Sequence, residues 1–227
     1  MIDEEVIQLQ NALIDYRKEV GCCKPPQDHV PSQPSELVDL IETHEREGII
    51  KKGQRVIELG SGIGSAAFPF NYAGYNVVGY ELYESLVKRS NELKEKLLAR
   101  GLVDPTLECE FRHGSYFPAQ YLQVMRQQRA NSIPTSEEIG AIVDPQEMDY
   151  LHIVPGPVTP EELRTYDLSY AYPWRVQMPS LVELFSLYAR DNAVLLFMLA
   201  GWHLKMDDVL KSHHLIKVGG SAFVKST

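Results

Sequence analysis

The sequence predicts a doubly wound α/β domain: a mostly parallel, seven-stranded sheet with helices on both faces, ending in a C-terminal antiparallel hairpin. Three observations predict it. From Gln54 onward, short β-prone runs alternate with helical periodicities, the pattern of a parallel sheet covered on both sides. The first of these runs empties into a glycine cluster, Gly60 to Gly64, as a strand does before a tight loop and a helix. The last two runs, His214 to Val218 and Ala222 to Lys225, flank Gly219-Gly220-Ser221 and read as a hairpin. The chain has 227 residues, of which 44% are apolar, enough to bury one substantial core.

The elements follow in order. Val6, Leu9, Leu13, Tyr16 and Val20 recur at helical spacing, so residues 5–20 form an amphipathic helix. A Pro-rich polar loop, Gly21 to Pro34, leads to a second helix from Ser35 to about Glu47, stopped by Gly48. Residues 1–34 are thus a helix and loop packing on the core, and residues 35–227 are the α/β domain. Gln54 to Gly60 is the first strand, and the small residues Ser65-Ala66-Ala67 begin a helix. Asn76 to Glu81 is the second strand. A long helix, Tyr83 to Arg100, has Leu86, Leu93 and Leu97 on one face and ends at Gly101. Glu108 to His113 is the third strand. Residues 115–165 are too long for a simple connection and form an insertion with a helix at about Ala119 to Arg129. Alternation resumes with strand Tyr166 to Tyr172, helix Ser180 to Arg190, strand Ala193 to Leu199 and a short helix near Met206 to Lys211.

Charge and cysteine usage narrow the function classes. Thirty-one acidic against 22 basic residues leave a net charge of −9, which repels phosphate backbones and argues against a duplex nucleic-acid partner. The N-terminus, Met1-Ile2-Asp3-Glu4-Glu5, is acidic where a signal peptide is basic, and no apolar run approaches a membrane span; a cytoplasmic location is expected. Three cysteines, two of them the pair Cys22-Cys23, form no disulfide framework, and with His29 they do not make a zinc pattern. No metal site is expected.

The informative cluster is Glu58-Leu59-Gly60-Ser61-Gly62-Ile63-Gly64. Glycines belong where the backbone turns sharply after a buried strand and approaches a ligand closely. The second strand ends in Glu81, 21 residues after Gly60, where a carboxylate can accept hydrogen bonds from both ribose hydroxyls of an adenosine-containing cofactor. Nicotinamide binders favour Gly-x-Gly-x-x-Gly, whereas this loop is Gly-x-Gly-x-Gly. An acid two residues before the first glycine suits an ammonium or sulfonium group better than a pyrophosphate. With these features the chain resembles the class I S-adenosylmethionine-dependent methyltransferases, whose first motif is Glu/Asp-x-Gly-x-Gly-x-Gly and whose second strand ends in an acid. The resemblance runs from about Ser35 to the C-terminus.

The resemblance implies S-adenosylmethionine as cofactor and methyl transfer as activity. It places Glu58, Gly60 and Gly62 around the methionine part and Glu81 on the ribose, with Ser61 and Gly64 of the same loop also cofactor-binding. Ser115, where the family often has an acid, and Tyr116 would meet the adenine, by hydrogen bond and by stacking. Tyr166-Asp167-Leu168-Ser169-Tyr170-Ala171-Tyr172-Pro173-Trp174 is similar to the family's Asp-x-x-x-x-Asn/Asp-Pro-Pro pattern, with Tyr172 in the place of the Asn/Asp and Trp174 in that of the second Pro. Tyr170, Tyr172 and Trp174 are the candidates for orienting an acceptor or enclosing the methylsulfonium with their aromatic faces, and Asp167, at the strand's opening, has a structural part. His113 and His152 are candidate bases. His213-His214 belongs to the turn before the last hairpin.

The acceptor is a small molecule or a protein side chain. Val30-Pro31-Ser32 and Gly79-Tyr80-Glu81 resemble segments of bacterial relatives of protein-lysine methyltransferases, which makes a protein lysine one candidate. Residues 1–34 and 115–165 are expected to shape the acceptor pocket. A noncatalytic cofactor-binding protein on the same fold, and an NAD-dependent oxidoreductase, stand as alternatives.

Overall fold

The structure, a computed structural model, describes residues 4–20, 33–131, 156–172, 178–198, 213–219 and 222–225. Trp174, His152, Cys22, Cys23, His29, the Val30-Pro31-Ser32 segment and the helix expected near Met206 to Lys211 lie outside these residues.

Helix α1 (Glu4–Val20) buries Val6, Leu9, Leu13 and Tyr16, the stripe its periodicity predicts. Acidic residues occupy its first turn and basic ones its last, as the helix dipole favours. Helix α2 (Pro34–Arg46) starts with Pro34 in its first turn and ends before Gly48, at φ +72°. Strand β1 (Arg55–Leu59), α3 (Ala67–Tyr72), β2 (Asn76–Glu81), α4 (Glu84–Leu98) and β3 (Cys109–His113) follow as expected. Helix α5 (Ala119–Asn131) opens the insertion. A four-residue helix, α6 (Pro160–Leu163), precedes β4 (Leu168–Ala171). Helix α7 (Met178–Tyr188), β5 (Val194–Phe197), β6 (Leu215–Gly219) and β7 (Ala222–Lys225) complete the described chain.

The seven strands form one sheet in the order β3-β2-β1-β4-β5-β7-β6. The first five are parallel, and β7 runs antiparallel to both β5 and β6. The central strands are buried almost throughout, because helices cover both faces. Alternation along β1 sorts its side chains. Val56 joins Leu37 of α2, Phe68 of α3 and Leu93 of α4 on one face. Ile57 and Leu59 join Tyr121 of α5, Leu163 of α6 and Leu181 of α7 on the other. Glu58, two residues after Val56 and between Ile57 and Leu59, therefore faces α3 with Val56.

The strand order reverses between β1 and β4, so the crevice of this sheet opens at their carboxyl ends. The opposite end is held by Asp167. Its Oδ2 accepts from the Arg55 backbone N–H at 2.7 Å, and its Oδ1 accepts from Arg190. Asp167 thus ties β4 to β1 and to the turn before β5, the structural part expected of it. Replacing Asp167 with Ala leaves the Arg55 N–H without its acceptor, and a loss of about 1–3 kcal/mol is expected in urea denaturation. An unchanged midpoint would contradict that role.

Candidate functional site

The loop after β1 is fixed from three directions. From β2, the Tyr80 carbonyl accepts from both the Gly60 and Ser61 N–H, at 3.0 and 2.9 Å. From β1, the Glu58 carboxylate reaches under the loop and accepts from Ala66 N–H at 3.2 Å and Ala67 N–H at 3.0 Å, capping the start of α3. From the tip of β2, Glu81 Oε2 accepts from Gly62 N–H at 2.8 Å, while its Oε1 accepts from Tyr83 N–H at 3.0 Å. A fourth tie comes from α4, where the buried Ser90 hydroxyl donates to the Gly62 carbonyl at 3.0 Å.

The three glycines of the loop do different work, although all have positive φ. At Gly62 an added Cβ would meet only open space within 4 Å, so the loop presents bare backbone to the crevice. At Gly64 it would stand 2.6 Å from the Phe111 ring and 2.7 Å from the Phe68 ring. The last glycine therefore serves helix-on-sheet packing. Ser61 turns the other way: its side chain seats against Gly79 of β2, and its buried hydroxyl has no hydrogen-bond partner among the described residues.

Glu58 and Glu81 are each 4% exposed. Burial pushes the Glu58 carboxyl up to about 8, against the opposing pull of the Ala66 and Ala67 N–H groups, and the charge of Glu81 adds to the rise. Two acids thus flank one loop at the carboxyl edge of the sheet.

Beyond the loop, the crevice is bordered by the ends of β2 and β3. Leu82 and Tyr83 follow Glu81 and are 40% and 58% exposed, apolar surface that no sequence motif marks. The signal for them was their position, directly after the strand-ending acid. Tyr116 lies over the loop, with its ring edge 3.8 Å from where a Cβ of Gly60 would stand. Ser115 is buried, and its hydroxyl accepts from the Phe117 N–H at 3.0 Å. Behind it, Gly156 packs so closely that an added Cβ would lie 1.4 Å from the Ser115 carbonyl oxygen.

The acceptor candidates separate. Tyr170 is buried in the core, edge-to-face with Phe70 at 5.4 Å, and its hydroxyl points to the Met198 sulfur at 3.6 Å. Tyr172 follows β4, partly buried, at the mouth of the crevice. Burial first, and the charge of Glu36 on α2 second, raise its phenol above the ordinary value. His113 requires a correction. It ends β3, two strands from β1 on the side away from β4, and its Nε2–H donates to the Leu82 carbonyl at 3.0 Å. It stands at the β3 edge of the sheet, three strands from β4, where the acceptor candidates of the sequence lie. Among the described residues no group of three or more His, Cys, Asp or Glu is placed to hold a metal ion. No helix among them is long and apolar enough to cross a membrane.

No family model and no curated protein matches the sequence. Solved structures do match. A methyltransferase from Geobacter sulfurreducens, 14% identical, aligns over 99% of this chain and 90% of its own, with a TM-score of 0.51. A precorrin-6y C5,15-methyltransferase from Geobacter metallireducens, 9% identical, aligns over 83% of this chain and 76% of its own at a TM-score of 0.45. A SAM-dependent methyltransferase from Agrobacterium tumefaciens, 12% identical, aligns over 80% of this chain and 48% of its own at 0.44. The chain spans about half the length of the Agrobacterium protein. The resemblance to class I methyltransferases holds at the level of the fold: a seven-stranded sheet with its last strands antiparallel.

The raised pKa of Glu58 has a measurable sign. The folded chain keeps a proton on Glu58 that the unfolded chain releases from about pH 4.5 upward, so its contribution to stability falls as pH rises toward about 8 and then levels off. Denaturation midpoints across that range should show this slope in the wild type and a flatter one in Glu58→Gln. Identical slopes would contradict a protonated Glu58.

Proposed function

We propose that this chain is an S-adenosylmethionine-dependent methyltransferase. One observation carries the reading: a bare-backbone glycine loop and a buried strand-end carboxylate, Glu81, meet at the carboxyl edge of the sheet beside the point where strand order reverses. The residues fit the cofactor's parts. The open face at Gly62 leaves room for the methionine portion beside Gly60. Glu81 is placed to exchange its bond with Gly62 for the ribose hydroxyls. Leu82, Tyr83 and Tyr116 offer apolar and aromatic surface to the adenine, with Ser115 behind them. Glu58 shapes the loop from beneath.

The cofactor supplies a methyl group already activated by its sulfonium, so the protein's share is to position, exclude water and take a proton from the acceptor. Tyr172 stands where the acceptor enters and keeps its phenolic proton at neutral pH, which lets it donate a hydrogen bond to the acceptor and accept one from it. Glu36 nearby favours a basic acceptor, such as a small-molecule amine or a protein lysine. Tyr170 supports this strand end from within the core. Trp174 extends the same segment in sequence and is carried as a candidate wall of the acceptor pocket.

Calorimetry with S-adenosylmethionine, S-adenosylhomocysteine and NAD tests the reading. Saturable binding of the two sulfur ligands is expected, and tight NAD binding without them would overturn it. In Glu81→Ala the affinity should fall ~10–100-fold, the worth of lost hydrogen bonds to a charged group. In Gly62→Arg, where the new side chain fills the open face, binding should be abolished. Release of S-adenosylhomocysteine across a panel of amines and lysine peptides distinguishes transfer from binding alone.

A further inference from the structure

The segment that returns from the insertion, Gly156 to Tyr166, descends across the sheet from the crevice beside the end of β3 to the start of β4. At its top the Gly156 N–H donates to the Phe117 carbonyl at 3.4 Å, and Gly156 and Pro157 press on Ser115 and Gly114. Halfway down, three donors converge on one oxygen of Glu162 in α6. Its Oε1 accepts from Arg112 at 2.5 Å, from the Tyr80 hydroxyl at 2.7 Å and from the Tyr166 hydroxyl at 3.1 Å. Arg112 also donates to the Tyr80 hydroxyl at 3.2 Å.

Tyr80 and Arg112 are cross-strand partners on β2 and β3, and each adjoins the candidate site. The carbonyl of Tyr80 holds the Gly60 and Ser61 N–H groups, and the next residue is Glu81. Two residues after Arg112, Gly114 donates its N–H to the Glu81 carbonyl at 2.9 Å. The Tyr80 side chain is 1% exposed, so its hydroxyl has little water to fall back on when Glu162 is removed. Tyr166 is equally buried but leads the other way, toward the Arg55–Thr165 contact at the far end of the sheet.

We propose that Glu162 is a positioning residue for the methyl-donor site: through Tyr80 and Arg112 it fixes the strand pair that carries Glu81 and the glycine-loop anchor, and it docks the returning segment against Ser115. The proposal rests on the donor-binding reading above. It couples the insertion, where acceptor specificity is expected, to the affinity for the donor.

Three nearly isosteric variants of the full chain test it: Glu162→Gln, Tyr80→Phe and Tyr166→Phe. Tyr80→Phe and Tyr166→Phe each remove a hydroxyl from the cluster, Glu162→Gln removes the charge that strengthens its three bonds, and each should lower the melting temperature. Dissociation constants for S-adenosylhomocysteine separate them. Glu162→Gln and Tyr80→Phe should bind about tenfold more weakly than wild type, whereas Tyr166→Phe should stay within about twofold. Weakening in Tyr166→Phe equal to that in Tyr80→Phe would reduce the cluster to a stability device and overturn the proposal, as would wild-type affinity in Glu162→Gln. A wild-type chain that does not bind the ligand would instead bring down the donor reading and this proposal with it.

Discussion

Everything in the candidate site hangs on how the loop between β1 and α3 is held open at the sheet's carboxyl edge. Backbone N–H groups in a tight loop need acceptors, and a buried loop cannot take them all from water. Here one carbonyl, Tyr80, and two carboxylates, Glu58 and Glu81, supply them. Burying two acids is costly, which is why Glu58 is driven toward its protonated form. The arrangement leaves one face of the loop uncovered, at Gly62, beside the Glu81 carboxylate.

The same loop depends on packing from further away. Gly64 is pressed between Phe68 and Phe111, so α3 and β3 set where the helix can begin. Ser61 fits only because Gly79 leaves it space in β2. Helix α1 adds an outer brace: Arg17 donates to the Ser65 hydroxyl at 2.9 Å, and the Tyr16 hydroxyl donates to Glu92 of α4 at 3.1 Å. These contacts join residues 48 and 76 positions apart in the chain, so a change in α1 is felt at the start of α3.

The alternating core was legible because its signals are local. Asn76 to Glu81 is a strand with the bounds its pattern predicts, and Gly48 and Gly101 stop helices as expected. Helix α6 escaped because four residues are too few for periodicity, although Thr159-Pro160-Glu161-Glu162 carries a capping signature: the Thr159 hydroxyl accepts from the Glu162 N–H, with Pro160 in the first turn. In the sequence Tyr170 is marked only by its place near a strand end. That Phe70 of α3 buries it is a contact across 100 residues that no local pattern encodes. Glu162 is a similar case: an ordinary surface-type residue in the sequence, it acquires its partners only when β2 and β3 align beside α6.

Amide hydrogen exchange, measured with and without S-adenosylhomocysteine, tests the central claim most directly. Glycine-loop amides at Gly60, Ser61 and Gly62, together with Leu82 and Tyr83 after β2, should exchange more slowly when the ligand is present, while the β6–β7 hairpin stays unchanged. Protection confined to that hairpin, or no change at the loop under saturating ligand, would contradict the placement of the donor at this edge of the sheet.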